Sequence, residues 1–316
     1  MINLAVTLHT KGKWKEAETL QLQVTKARQR LFGLEHPSTL ASMNNLASTY
    51  LDQGRWKEAE QLGTFVIKTT KHIPLEDPRA ILKSMASLAL IYLNQAKWKD
   101  AEEILVQVVE TSDRVLGPEN LVALTCKANL ASAYFLQGQW RKAEGLQVWL
   151  IETRKRVLGP EHPDILSSMN NLVSTYINQE RWREAEDLGI QVTETSKQVL
   201  GPNHPDTLIC MNNLAMIHQG QGKLEEAEGL QLQVMKACNQ VFGPEHPNTM
   251  TSIASLSLIY ANQGRWKDAE EFQTKELELC SWLIGPKHPS TLTSMNNLAS
   301  TYCSQENFRK TIINNY

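Results

Sequence analysis

NLASTYLDQGRWKEAEQL, residues 45–62, decides the fold. Leu46, Ala47 and Tyr50, with Leu40 and Met43 upstream, fall on one face at the helical period. Gln53-Gly54 breaks the pattern, glycine being the residue that most readily takes the left-handed conformation ending a helix. A second apolar face follows at Trp56, Ala59, Leu62, Val66 and Ile67. Glu58 and Glu60 lie in its first turn and Lys68 and Lys71 near its end, the signs that the helix dipole favours. The stretch therefore predicts one helix over 38–52 and a second over 56–71, folded back as an antiparallel pair. Ala47 and Ala59 are the small residues that let the two helices approach closely.

The same pattern fills the chain. MNNLASTY at 43–50 recurs letter for letter at 295–302, an interval of 252, or six times 42. Trp14, Trp56, Trp98, Trp140, Trp182 and Trp266 stand on a 42-residue grid, with Leu224 and Phe308 at the two other points. Tyr50, Tyr92, Tyr134, Tyr176, Tyr260 and Tyr302 lie six positions before the grid, with His218 in the vacant slot. Ala17, Ala59, Ala101, Ala143, Ala185, Ala227 and Ala269 lie three positions after it. Most second helices are followed by a linker such as Leu-Gly-Pro-Glu-His-Pro at 158–163, in which Gly159 can stop one helix and Pro163 suits the first turn of the next. No strand-like alternation persists. The expected fold class is all-α: a right-handed superhelical solenoid of antiparallel helix pairs. A single array over 1–316 divides into units of approximately 1–37, 38–78, 79–120, 121–162, 163–204, 205–246, 247–288 and 289–316. The first and last read as truncated, the last reaching only a short way into its second helix. The loop HIPLEDPRA, 72–80, lacks Gly-Pro, and Asn120-Leu121 replaces His-Pro, so distortion is expected near 72–80 and 117–122.

Composition excludes several classes. Net charge is −2, which leaves no basic excess for nucleic acid. No apolar run approaches the ~18 residues of a membrane span, and MINLAVTLHTKGK lacks the features of a secretory leader. The five cysteines occupy repeat slots too far apart to bridge; they read as free thiols of a cytoplasmic protein.

N-L-A-x-x-Y-x-x-Q-G-x-W-x-x-A-E-x-L, as it stands at 45–62, resembles the tetratricopeptide repeat. The 42-residue form with a G-P-x-H-P linker is similar to the kinesin-light-chain type, and such arrays also occur as C-terminal regions of fungal NACHT and NB-ARC proteins. The resemblance spans the chain and implies a protein–protein interaction scaffold. Its first helices would line a concave groove gripping a peptide or helix of a partner. The asparagine of N-L-A is the gripping residue in that family. The matching positions include Asn45, Asn129, Asn171, Asn213 and Asn297, and Asn170 and Asn212 add a second column. An amide offers donors and an acceptor, as main-chain recognition requires; the same amides could instead bond between neighbouring repeats. Phe135 and Ile177 are expected as apolar pockets in a polar, neutral groove. The alternatives are a ligand-sensing region of a STAND-type signalling NTPase whose NTPase lies outside this chain, and a kinesin-light-chain cargo adaptor. The exposed end helices are expected to allow end-to-end self-association.

Other features read as structure. His36, His162, His204, His246 and His288 recur once per unit, about 10 Å apart, too far to share a metal ion at ~2 Å bonds. They are expected to pack the linkers. The tryptophan ladder is expected in the core. Glutamates such as Glu58 and Glu60 are expected to be solvated. Gly220-Gln-Gly222-Lys223 lacks the P-loop spacing and overlays the ordinary turn. Neither catalysis, nor a cofactor, nor a metal is expected.

Overall fold

The computed structural model describes residues 2–10, 13–72, 79–283, 285–286 and 288–314. All regular structure among them is helical. The helices are α1 (Ile2–Thr10), α2 (Trp14–Phe32), α3 (Pro37–Asp52), α4 (Trp56–His72), α5 (Arg79–Asn94), α6 (Trp98–Leu116), α7 (Leu121–Leu136) and α8 (Trp140–Leu158), then α9 (Pro163–Asn178), α10 (Trp182–Val199), α11 (Pro205–Gly220), α12 (Leu224–Phe242), α13 (Pro247–Asn262), α14 (Trp266–Leu283) and α15 (Pro289–Asn314). Odd-numbered helices are the first of each pair and even-numbered ones the second. The chain forms two compact units, Met1–Thr175 and Tyr176–Tyr316.

Each unit is a row of helix pairs: α1 to α8 pack each on the next in the first and α10 to α15 in the second, and α9 is joined to α8 by hydrogen bonds from Arg154 to Ser168 and from Thr175 to Gln147. All seven alanines three residues after the grid are wholly buried, at 0% exposure. In the first unit Ala47 and Ala59 meet Leu88 and Ile91 of the following pair in one apolar cluster. No pair buries its second face alone; the next pair completes it, as stacking requires. In the second unit Leu256, Tyr260 and Ala269 form the corresponding cluster, with Met235 from the preceding pair packed against it.

The turn inside a pair is built as the sequence implies. Gly54 has φ +71°, in the left-handed region. Ala96 and Glu180 fill the same slot and take the same conformation, at φ 56° and 57°.

The linker histidines do more than pack. His36, His162, His204, His246 and His288 each accept, at Nδ1, the backbone N–H two residues on, at 3.1–3.2 Å. Each thereby caps the helix that follows, satisfying one of its orphan donors. Burial lowers the pKa of His288, which favours the neutral ring that capping needs. At the linker expected to be distorted, Asn120 takes over: its Oδ1 accepts from Val122 N at 3.0 Å. With Gly117 at φ +87°, like Gly159, this junction follows the others, because asparagine is itself a preferred cap. Residues 73–78 of the other irregular linker lie outside the described residues.

The tryptophan ladder and the last unit also differ from expectation. The grid tryptophans are not fully buried: Trp98 is 44% and Trp140 36% exposed, and Trp14, Trp56, Trp182 and Trp266 are half-buried. Each begins a second helix beside the turn, at the rim of the layer, while the alanine one turn on fills its centre. Trp182 lies so close to Gly220 that a Cβ there would come within 2.4 Å of the indole. The last unit makes no turn near Gln305: α15 runs unbroken from Pro289 to Asn314. Glu306 stands where most units carry the turn glycine, but Glu180 makes the left-handed turn in the same slot, so the glutamate alone does not account for the unbroken helix.

Candidate binding face on the first helices

Within each unit, contacts between first helices single out one face. In the first unit α3 touches α5 and α5 touches α7; in the second α11 touches α13. Among the described residues no two second helices touch to that extent. A row whose first helices approach more closely than its second helices presents the first helices as its inner face.

The predicted site residues distribute unevenly on this face. Asn45 and Asn171 are exposed; Asn129, Asn170, Asn212 and Asn297 are half-buried; Asn213 is buried at 9% exposure. Phe135 and Ile177 are half-buried. In the first unit Asn45, Asn129 and Asn171 share one register on α3, α7 and α9, with Ser87 in that slot on α5. In the neighbouring column one asparagine is drawn into the stack. Asn44 Nδ2 donates to Ser84 Oγ at 2.9 Å, joining α3 to α5. In the second unit Asn212 Nδ2 lies 3.7 Å from Met216 Sδ on its own helix.

Charge gathers at the turns. Arg55 donates to Glu18 at 2.7 Å and Lys97 to Glu60 at 2.8 Å in the first unit. In the second, Lys223 donates to Glu186 at 2.8 Å and Arg265 to Glu228 at 2.9 Å. Each pair spans 37 residues and ties one helix pair to the one before. Arg55 and Arg265 also lie 4.2 Å from the ring centroids of Tyr50 and Tyr260. The hydrogen bond from Lys97 holds the Glu60 carboxyl below its ordinary pKa, and that from Lys223 does the same for Glu186. Glu60 is therefore a linking group and not the solvated charge expected. Sequence periodicity carries the signal in the recurrence of a basic residue just before the grid, but it does not show which carboxylate faces it.

All five cysteines are free; Cys126, Cys210, Cys238 and Cys280 are buried and Cys303 is exposed. Burial raises the thiol pKa of the first four, to about 11 for Cys210 and Cys238. Among the described residues no group of three or more His, Cys, Asp or Glu is placed to hold a metal ion. No helix among them is long and apolar enough to cross a membrane.

Comparison with known proteins agrees with this architecture. Two tetratricopeptide repeat profiles match, one over residues 1–64, 164–240, 211–281 and 251–310, the other over 81–121 and 123–164. A comparison with curated protein sequences finds no match. Among solved structures, the tetratricopeptide-like repeats of a putative kinesin light chain from Podosopora anserina are similar at TM-score 0.54 and 27% identity, over 66% of this chain and 98% of that one. A STAND protein with a tetratricopeptide repeat sensor, from Pyrococcus horikoshii, is similar at TM-score 0.57 and 13% identity, over 98% of this chain and 48% of that one. NprR, solved with its cognate peptide NprX, is similar at TM-score 0.61 and 14% identity, over 98% of this chain and 84% of that one. The last two likenesses concern the fold alone. With repeat profiles covering most of its length and helix pairs stacked at a 42-residue period, this chain belongs to the tetratricopeptide repeat family.

Proposed function

We propose that this protein is a non-enzymatic, cytoplasmic interaction scaffold, and that its first-helix face binds an extended segment or a helix of a partner protein. The observation that carries this reading is the shared register of Asn45, Asn129 and Asn171 on the inner face of the first unit. Amides at one register on successive helices offer donors and acceptors in a row, the form needed to hold a main chain. That NprR was solved with a peptide bound supports the reading by analogy of fold. The test is a capture experiment from cell lysate with the parent chain and an Asn45→Ala, Asn129→Ala, Asn171→Ala variant of equal helicity. A partner held by the parent and lost by the variant supports the face; equal capture by both sinks it.

A second reading takes the array as the ligand-sensing part of a STAND-type signalling NTPase. The alignment of 98% of this chain with a STAND protein that carries a tetratricopeptide repeat sensor favours it. A transcript joining this sequence to a Walker A motif upstream would establish it; a complete transcript without one would dismiss it. A kinesin-light-chain cargo adaptor has its support in the likeness to the Podosopora anserina repeats. End-to-end self-association would use α15, on which Leu292, Met295 and Tyr302 are exposed at 53%, 40% and 46%.

A further inference from the structure

The middle of the first-helix face of the second unit carries no Asp, Glu, Lys or Arg. Residues 207–220, 247–262 and 289–305 contain no Asp, Glu, Lys or Arg, in a chain that is 21% charged. Asp206 stands in the first turn of α11, and Glu306, Arg309 and Lys310 toward the end of α15; the other charges of this unit lie on the second helices and at the turns, where Lys223 and Arg265 pair with Glu186 and Glu228. What this stretch exposes instead is aliphatic or hydroxylic: Thr251, Thr293 and Ser300 are exposed at the registers of Ile209 and Met216. Met216 on α11 and Leu258 on α13 stand 42 residues apart, at one register of two helices that touch, and are 42% and 40% exposed. Ile209, two turns before Met216 on the same stripe, is 44% exposed. Asn212 lies between Ile209 and Met216 along that stripe, half-buried, its Nδ2 turned to the methionine sulfur.

We propose that this face selects a segment of a partner protein that carries no charge, seating aliphatic side chains of the segment on Met216 and Leu258. The proposal rests on the binding reading above and adds the chemistry of the ligand. Its physical basis is the lack of a counter-charge within 207–220, 247–262 and 289–305. A carboxylate or ammonium pressed onto this surface loses water and gains no partner, whereas an uncharged polar or aliphatic side chain loses little. Selection by exclusion of charged competitors is specificity as real as selection by attraction. Methionine adds to this, because its flexible thioether adapts to aliphatic side chains of differing shape.

The test is panning of the full chain with phage-displayed random dodecapeptides, followed by fluorescence polarisation on the enriched peptides. The expected peptides are aliphatic, lack Asp, Glu, Lys and Arg, and change affinity by less than about twofold between about 50 and about 500 mM NaCl. Met216→Glu and Leu258→Glu, each at an exposed position and each checked for parental helicity, should weaken them about tenfold or more. Met216→Gln, neutral and of similar size, should weaken them less and guards against loss of fold. Enriched peptides rich in either charge, with binding that falls as salt rises and is lost in both Glu variants, overturn the charge-free selection while leaving the face as a binding surface. Peptides that bind the Glu variants as well as the parent, or no enrichment at all, overturn peptide binding on this face. Self-association of the parent abolished by Leu258→Glu would name a second copy as the occupant and overturn the peptide proposal.

Discussion

The imidazole at the start of a first helix shows how much one atom decides. His162 Nδ1 accepts the Asp164 N–H, and Pro163 between them contributes no donor of its own. Removing this cap by His162→Ala should lower stability by about 1 kcal/mol, measured by urea denaturation. His162→Asn should be close to neutral, since Asn120 performs the same task in this fold. A large loss on His162→Asn would mean that ring packing outweighs capping. The sequence shows that a histidine recurs and that its spacing excludes a shared metal. It does not show which ring atom meets which N–H, because that depends on the path of the linker. The asparagines are a like case. Their columns are legible in the sequence, but the exposure of Asn45 and the burial of Asn213 follow from how each first helix is turned against its neighbour.

At the scale of the helix, boundaries were the most legible feature. Expected helices over 38–52 and 56–71 correspond to Pro37–Asp52 and Trp56–His72. Legibility failed where a rule of the repeat is broken once. On α14, Glu276 occupies the slot that holds Val66, Val108, Leu150, Val192 and Val234 in other units, all of them buried. Glu276 is itself only 7% exposed; Oε1 accepts from Ser294 at 2.6 Å and Oε2 has no partner. Burial raises its pKa above the ordinary carboxylate value, against the lowering effect of the Ser294 hydroxyl. The folded state therefore keeps this proton to higher pH than the unfolded chain. Stability should fall as pH rises from the ordinary carboxylate range through the raised value, and then level off. Glu276→Val should stabilise the chain by about 2 kcal/mol at neutral pH and remove this part of the pH dependence. Thermal melts of parent and variant at about pH 4 and about pH 7 decide it, and an equal difference at both would show that the carboxyl does not carry the effect.

For the molecule as a whole, the repeat period was the strongest signal, and it yielded the fold class, the helix pairing and the free thiols. It missed the linkage between pairs, since a 42-residue period aligns equivalent residues whereas the ion pairs join inequivalent ones 37 apart. The thiols give a global measure of order. Four are buried with raised pKa and only Cys303 is exposed. Iodoacetamide at about pH 8 should label Cys303 alone in the native protein and all five in denaturant, read by intact mass. Rapid native labelling of Cys280 would mean that the α14–α15 packing opens on the timescale of the reaction.

The polar stitches between helix pairs, such as Arg55 to Glu18, Asn44 to Ser84 and Gln95 to Trp56, close loops of 37, 40 and 39 residues. Each span is set by the repeat and recurs when the same stitch recurs along the array, as the four basic–acidic pairs 37 residues apart do. Adding or deleting a 42-residue module therefore leaves every loop closure as entropically demanding as before, and relative contact order falls as the array lengthens. Chain length is then nearly free of folding penalty, and a lineage can tune the extent of its binding face by whole modules without redesigning a single contact.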